Sequence, residues 1–241
     1  MLRIRASLLA ALIVTVISVA MPALPRAAHP ESLSALPDET ILNAPYSAER
    51  HFTSVKRSAD GTTHRTETHG SEARDSQGRT YSADERLWLY SGHEKSQVLY
   101  RIHDPVANTD TKWDSISKEV KVFHWHPSPH DADVSKEIEA WTTPHYSTTE
   151  KLGEQKLGDF AAEGTRGSYT VPAGQDHNDR PIVVVHESWY CPELKIVILE
   201  TNDDPRDGTT RNELANIVRG EPDVTQYRPP SDHIVHDVQI P

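Results

Sequence analysis

The chain has 241 residues, with 25 Lys+Arg against 36 Asp+Glu, a net charge of −11, one cysteine and 14 histidines. A single cysteine excludes an intrachain disulfide framework, 11 glycines exclude a collagen repeat, and the acidic balance excludes a generic nucleic-acid binder. Only the N-terminus approaches the roughly 20 apolar residues of a membrane span, which excludes a multi-span membrane protein.

Residues 1–28 have the form of a secretory signal. Arg3 and Arg5 supply a basic start, Ala6 to Ala20 is almost entirely apolar, and small residues follow at Ser18, Ala20, Ala23, Ala27 and Ala28. Cleavage is the expectation over an uncleaved anchor, because the apolar core is shorter than a spanning helix requires. Cleavage after Ala28 takes Arg3, Arg5 and Arg26 but no acidic residue, and moves the net charge from −11 to −14. The product is expected to be exported, periplasmic or secreted, with no transmembrane span left. The lone cysteine suits that compartment without disulfides. Residues 29–45 contain Pro30, Pro37 and Pro45 and no sustained period, and read as an extended lead-in or a disordered tail.

Residues 46–241 read as one β-rich domain. His51–Lys56 and the threonine-rich Thr62–Thr68 come first. Asp75-Ser76-Gln77-Gly78 is a turn whose glycine can take a positive φ. Leu87–Tyr90 and Val98–Ile102 are compact β-formers. Asp110–Asp114 and Val120–His126 flank the polar connection Ser115–Lys118 as a hairpin. Asp133 can cap a short helix, with Val134, Ile138 and Trp141 spaced i, i+4, i+7. Ile182–Val185 and Ile196–Leu199 are apolar runs suited to strands buried on both faces, separated by a reversal at Cys191–Leu194. Asp204–Gly208 is another turn, Arg211–Val218 a strand bounded by glycines, and Glu221–Tyr227 a helical turn ended by Pro229-Pro230. The expected fold is mainly β, α+β in class: a curved antiparallel sheet or half-barrel with one or two short helices. Strand does not alternate with long helix, so a doubly wound parallel sheet is not expected.

The densest chemistry is His124-Trp125-His126-Pro127-Ser128-Pro129-His130-Asp131. Alternation along a strand puts His124 and His126 on one side, about 6.6 Å apart. With His130 they form a candidate metal site, zinc being the fitting ion, and Asp131 or Asp133 could complete the shell. The competing reading is structural or surface histidines, since Val120 and Val122 share that side and no tight metal signature is matched. His186-Glu187 has Tyr190 where a zinc-protease helix needs its second histidine. There is no Gly-x-Ser-x-Gly elbow and no phosphate loop. Ser115-Ile116-Ser117-Lys118 has catalytic Ser-x-x-Lys spacing but falls in a turn, and Cys191 precedes Pro192 with no evident base. No catalytic residue is assigned, and no cofactor beyond the zinc reading. The five tryptophans suit a core or the lining of an apolar cavity.

Several blocks together resemble a group of exported bacterial proteins of uncharacterised function. They include Glu72-Ala73-Arg74-Asp75-Ser76-Gln77-Gly78-Arg79, Trp189-Tyr190-Cys191-Pro192-Glu193-Leu194 and Arg219-Gly220-Glu221-Pro222-Asp223. That group usually carries a small polar residue at the position of Cys191, which argues against a catalytic cysteine. The order of strands and turns around Trp189–Leu194, with Tyr227 and Pro230 near the end, also resembles the LolA/LppX-type lipoprotein-carrier superfamily, including RseB N-terminal-like domains. The resemblance implies a half-barrel around an apolar cavity, binding an apolar ligand such as lipid or lipoprotein acyl chains without chemistry. A periplasmic regulator that contacts a membrane partner, and a metal-dependent hydrolase built on His124, His126 and His130, are the alternatives.

Overall fold

A computed structural model describes residues 40–58, 60–126 and 146–239. The expected signal, most of the expected lead-in, His130 and the helix expected at 133–141 lie outside these residues. Twelve strands form one sheet within the unit Ala35–Pro241. They are β1 (Tyr46–Arg57), β2 (Thr63–Arg74), β3 (Thr80–Tyr90), β4 (His93–Asp104), β5 (Thr109–Asp114) and β6 (Glu119–His124), then β7 (Thr148–Leu157), β8 (Phe160–Val171), β9 (Ile182–Cys191), β10 (Ile196–Asp204), β11 (Gly208–Arg219) and β12 (Ile234–Gln239). The sheet order is β12-β6-β5-β4-β3-β2-β1-β11-β10-β9-β8-β7, and the sheet is not closed. Two meanders, β1 to β6 and β7 to β11, are joined where β1 pairs with β11. All pairs are antiparallel except β12 on β6.

Every strand expected from β-forming runs is present, and Arg211–Val218 is indeed strand. The turn at Asp75 is held by the Asp75 carboxylate, which accepts from the backbone N–H groups of Gln77 and Arg79 at 3.0 and 2.9 Å. Gly78 there has φ +81°. The helical turn expected over Glu221–Tyr227 is a single 3-10 turn, Val224–Tyr227, capped by the Asp223 side chain. The two apolar runs are not buried on both faces. Val183 and Val197 are 51% and 42% exposed, because their sheet faces are only partly covered.

Directly opposed residues of an antiparallel pair project to the same side, so the registers assign every strand to two faces. One apolar cluster, Ile102, Trp113 and Val120 with Tyr81, Tyr100 and Val122, lies on the first face, and Tyr227 of the 3-10 turn packs against it. A second cluster joins Tyr46, Ala48, Leu214 and Ile198 to Phe160, fully buried Cys191 and Leu194. Register shifts lie within this cluster, one on β11 between Ala215 and Val218 opposite Ala48, the other at Ile198 on β10. They turn extra side chains toward it.

Candidate functional site

The second face carries a row of charged side chains beside the Tyr46 cluster. On β1 and β2, Arg50 is ion-paired to Glu72, and the Tyr46 hydroxyl donates to Glu72 Oε1 at 2.6 Å. Asp84 on β3 lies 3.8 Å from Arg50 Nε. Arg74 sits at the end of this row and donates to the backbone oxygens of Ala44 and Leu194, which ties the two meanders together. Burial pulls its pKa down from the usual guanidinium value, and nearby tyrosines offset part of that effect.

Farther along the same face, Arg101 on β4 donates to Asp110 on β5 at 2.8 and 3.1 Å, and His103 Nδ1 lies 3.2 Å from the same oxygen. Burial alone would raise the Asp110 carboxyl. The contacts with His103 and Arg101 outweigh burial and hold it below the ordinary range. On the other meander, His186 Nε2 on β9 is 2.7 Å from Glu200 Oε1 on β10. Tyr146 stacks on His186 at 5.7 Å. Burial, with the Glu200 charge second, pushes the Tyr146 hydroxyl up to about 12.

These pairs are sheltered. The side chains of Arg50, Glu72, His103, Asp110, His186 and Glu200 are all under one fifth exposed. Charged residues of the central strands on the first face differ: Arg65, Glu67 and Arg211 are about half exposed. The second face also carries Phe52, Leu99, Phe123 and Tyr169, with the Lys112 ammonium over the Phe123 ring. It therefore presents sheltered ion pairs among aromatic and aliphatic side chains.

Of the histidines singled out in the sequence as metal ligands, His124 and His126 lie within the described residues. His124 is on the first face, where its Nε2 lies 3.0 Å from Asp237 of β12. Trp125 turns to the second face and stacks on His103. His126 is exposed beyond the end of β6, and His130 lies outside the described residues. Among the described residues, no three His, Cys, Asp or Glu side chains gather in a metal-holding group. The charged row escaped sequence reasoning because each pair spans two strands. The alternation of charges along Thr62–Thr68 belongs to Arg65 and Glu67, on the other face.

Two clefts open on the first face. One, of about 250 Å³, is lined by Thr53, Val55, Thr201, Asp203, Thr209 and Arg211. The other, of about 300 Å³, is lined by His51, Arg65, Glu67, His69, Arg211 and Glu213 among others. Both are open clefts, unlike the enclosed apolar cavity that the family resemblance implies.

The described residues thus define an open, almost entirely β sheet with one sheltered face. No family model and no curated protein matches the chain. Solved structures do. The chain is similar to an uncharacterized conserved protein from Thermus thermophilus, with 11% identity over 82% of this chain and 92% of that one, at a TM-score of 0.43. It is also similar to MucB, solved in complex with MucA(peri), with 10% identity over 80% of this chain but only 57% of MucB and a TM-score of 0.41. The lipoprotein LppX from Mycobacterium tuberculosis matches with 11% identity, 75% and 88% coverage and a TM-score of 0.32. The carrier superfamily named by the sequence resemblance is therefore represented among the structures this chain is similar to.

Proposed function

We propose that the chain is an exported, non-enzymatic binding protein that holds an apolar or amphipathic ligand, such as a lipid or lipoprotein acyl chain, along the second face of its sheet. One observation carries this reading: the pairs Arg50–Glu72, His103–Asp110 and His186–Glu200 on that face are sheltered, while aromatic and aliphatic side chains stand among them. A paired charge presents little net field to an apolar chain, whereas an isolated buried charge would repel it strongly. On the first face the charges of the central strands, Arg65, Glu67 and Arg211, are about half exposed instead. The acidic surface elsewhere favours solubility.

Native mass spectrometry and solvent extraction of protein purified from the exported fraction test the reading. A co-purifying lipid that exchanges for added fatty acid is the expected result. Protein that is lipid-free after gentle purification, and that fails to take up an environment-sensitive acyl probe, overturns it.

A further inference from the structure

β3 and β4 pair along their whole length, from Thr80–His103 to Tyr90–His93. Their neighbours stop early. β2 follows β3 only as far as Gly70–Asp84, and β5 follows β4 only as far as Leu99–Asp114. Residues 86–97 are therefore a two-stranded ribbon outside the flanking ladders, above a base where the His69 N–H donates to Glu85 at 3.2 Å and the Ser115 N–H to the Val98 carbonyl at 2.9 Å. Its tip lies about 20 Å of strand beyond the last shared rung. The tip turn is built by Ser91 and Gly92, both at positive φ.

The tip is apolar and exposed: Trp88 is 38%, Leu89 76% and Tyr90 66% accessible. Charge divides by face. Arg86, Trp88, Tyr90, His93 and Lys95 lie on one side of the ribbon, while its two acids, Glu85 and Glu94, lie on the other with Leu87 and Leu89. Neither Arg86 nor Lys95 forms an ion pair among the described residues. A cationic, aromatic surface without a carboxylate is thus carried by a chain of net charge −11.

We propose that this side of the ribbon docks on an anionic phospholipid surface. Trp and Tyr place an apolar ring and a polar edge at the headgroup level of a membrane. Lys and Arg are drawn to anionic headgroups. The acidic body repels such a surface, but that repulsion is screened over about 8 Å at physiological ionic strength, less than the length of the ribbon. This side of the ribbon continues the ligand-holding face of the sheet outward past Asp84 and Leu99, and docking there needs no ligand on the sheltered part.

Vesicle flotation of the full chain tests the docking, using phosphatidylcholine with about one third phosphatidylglycerol against phosphatidylcholine alone. The chain is expected to float with the anionic vesicles and to be released by salt. Arg86→Gln with Lys95→Gln, and separately Trp88→Ser with Tyr90→Ser, should each weaken flotation roughly tenfold. Both pairs are exposed, so unchanged urea midpoints show that the fold is kept. Equal flotation on the two vesicle types, no flotation on either, or folded variants that float like the wild type would each overturn docking through this face. Lipid content after solvent extraction, measured on the same samples, reports the ligand-holding reading independently.

Discussion

Trp125 lies flat on His103, with ring centroids 5.7 Å apart and planes within 4°. Tyr146 lies on His186 at the same separation, with planes within 16°. Each histidine is paired with a carboxylate, Asp110 or Glu200, and both stacks are on the second face. Trp125 and Tyr146 flank residues 127–145, so the chain is pinned to this face on either side of that stretch.

The Trp125 stack should be measurable in stability. Trp125→Ala removes the stacking and the half-buried ring, and should cost about 2 kcal/mol. Trp125→Phe keeps the stacking and removes an indole N–H that is buried without a hydrogen-bond partner. Deleting an unsatisfied buried donor offsets lost area, so the Phe variant should stay within about 0.5 kcal/mol of wild type. Urea denaturation distinguishes the two. Equal losses would mean that the ring stabilises through burial alone.

The Arg50–Glu72 pair makes a different kind of contribution. Its side chains are 15% and 11% exposed. Glu72→Ala leaves Arg50 with only Asp84 at 3.8 Å and removes the acceptor of the Tyr46 hydroxyl. A loss of roughly 3 kcal/mol is expected, because a half-broken buried pair leaves a desolvated charge. Adding Arg50→Met should restore about half of that loss or more, since a hydrophobic replacement no longer carries the charge. A double variant no more stable than Glu72→Ala alone would show that solvent already compensates Arg50.

Much of the sheet was legible because β-branched and aromatic residues cluster in β3 to β6 and β9 to β11. β7 and β8 were not. Their sequence is rich in Glu, Lys, Ala and Gly, all poor strand formers. What makes β8 a strand is tertiary: Trp189 covers Gly164 and Tyr146 covers Gly167. β12 was missed as well, because its partner β6 is 110 residues earlier and pairs in parallel. Face assignment was lost for a related reason. The extra residues on β11 between Ala215 and Val218 and on β10 at Ile198 change the parity of alternation, and no short window of sequence shows them. The alternation that put His124 opposite Trp125 did hold, but its consequence, a contact with Asp237, depends on β12.

Asp110 should make stability depend on pH in the acid range. Its folded pKa is depressed, against the effect of its burial, by His103 and Arg101. The contribution is therefore fully present above the unfolded carboxylate pKa of about 4 and is lost as pH falls through the lower folded value. Asp110→Asn cannot titrate. The stability gap between wild type and Asp110→Asn should be fully present at about pH 5 and shrink below about pH 4. Urea midpoints of both proteins along a pH series give this gap directly, and a gap that stays constant into acid would remove Asp110 as its source.

Gly167 tests how the Tyr146 stack is seated. A Cβ at this position would lie 2.5 Å from Tyr146 Cγ, and the nearest atoms it meets are all in that ring. The collision is with the root of the side chain, so rotating the ring does not relieve it. Gly167→Ala must lift Tyr146 away from His186, at a cost of about 1–3 kcal/mol. In a Tyr146→Ala background the obstacle is gone, and the same substitution should cost less than about 0.5 kcal/mol. Gly92 supplies the contrast: a Cβ there would meet nothing within 4 Å, but φ is +77°, so Gly92→Ala should cost about 1 kcal/mol whether or not Tyr146 is present. A double-variant cycle in urea reads the coupling. Additive losses for Gly167→Ala and Tyr146→Ala would mean that β8, and not the tyrosine, resists the added methyl group.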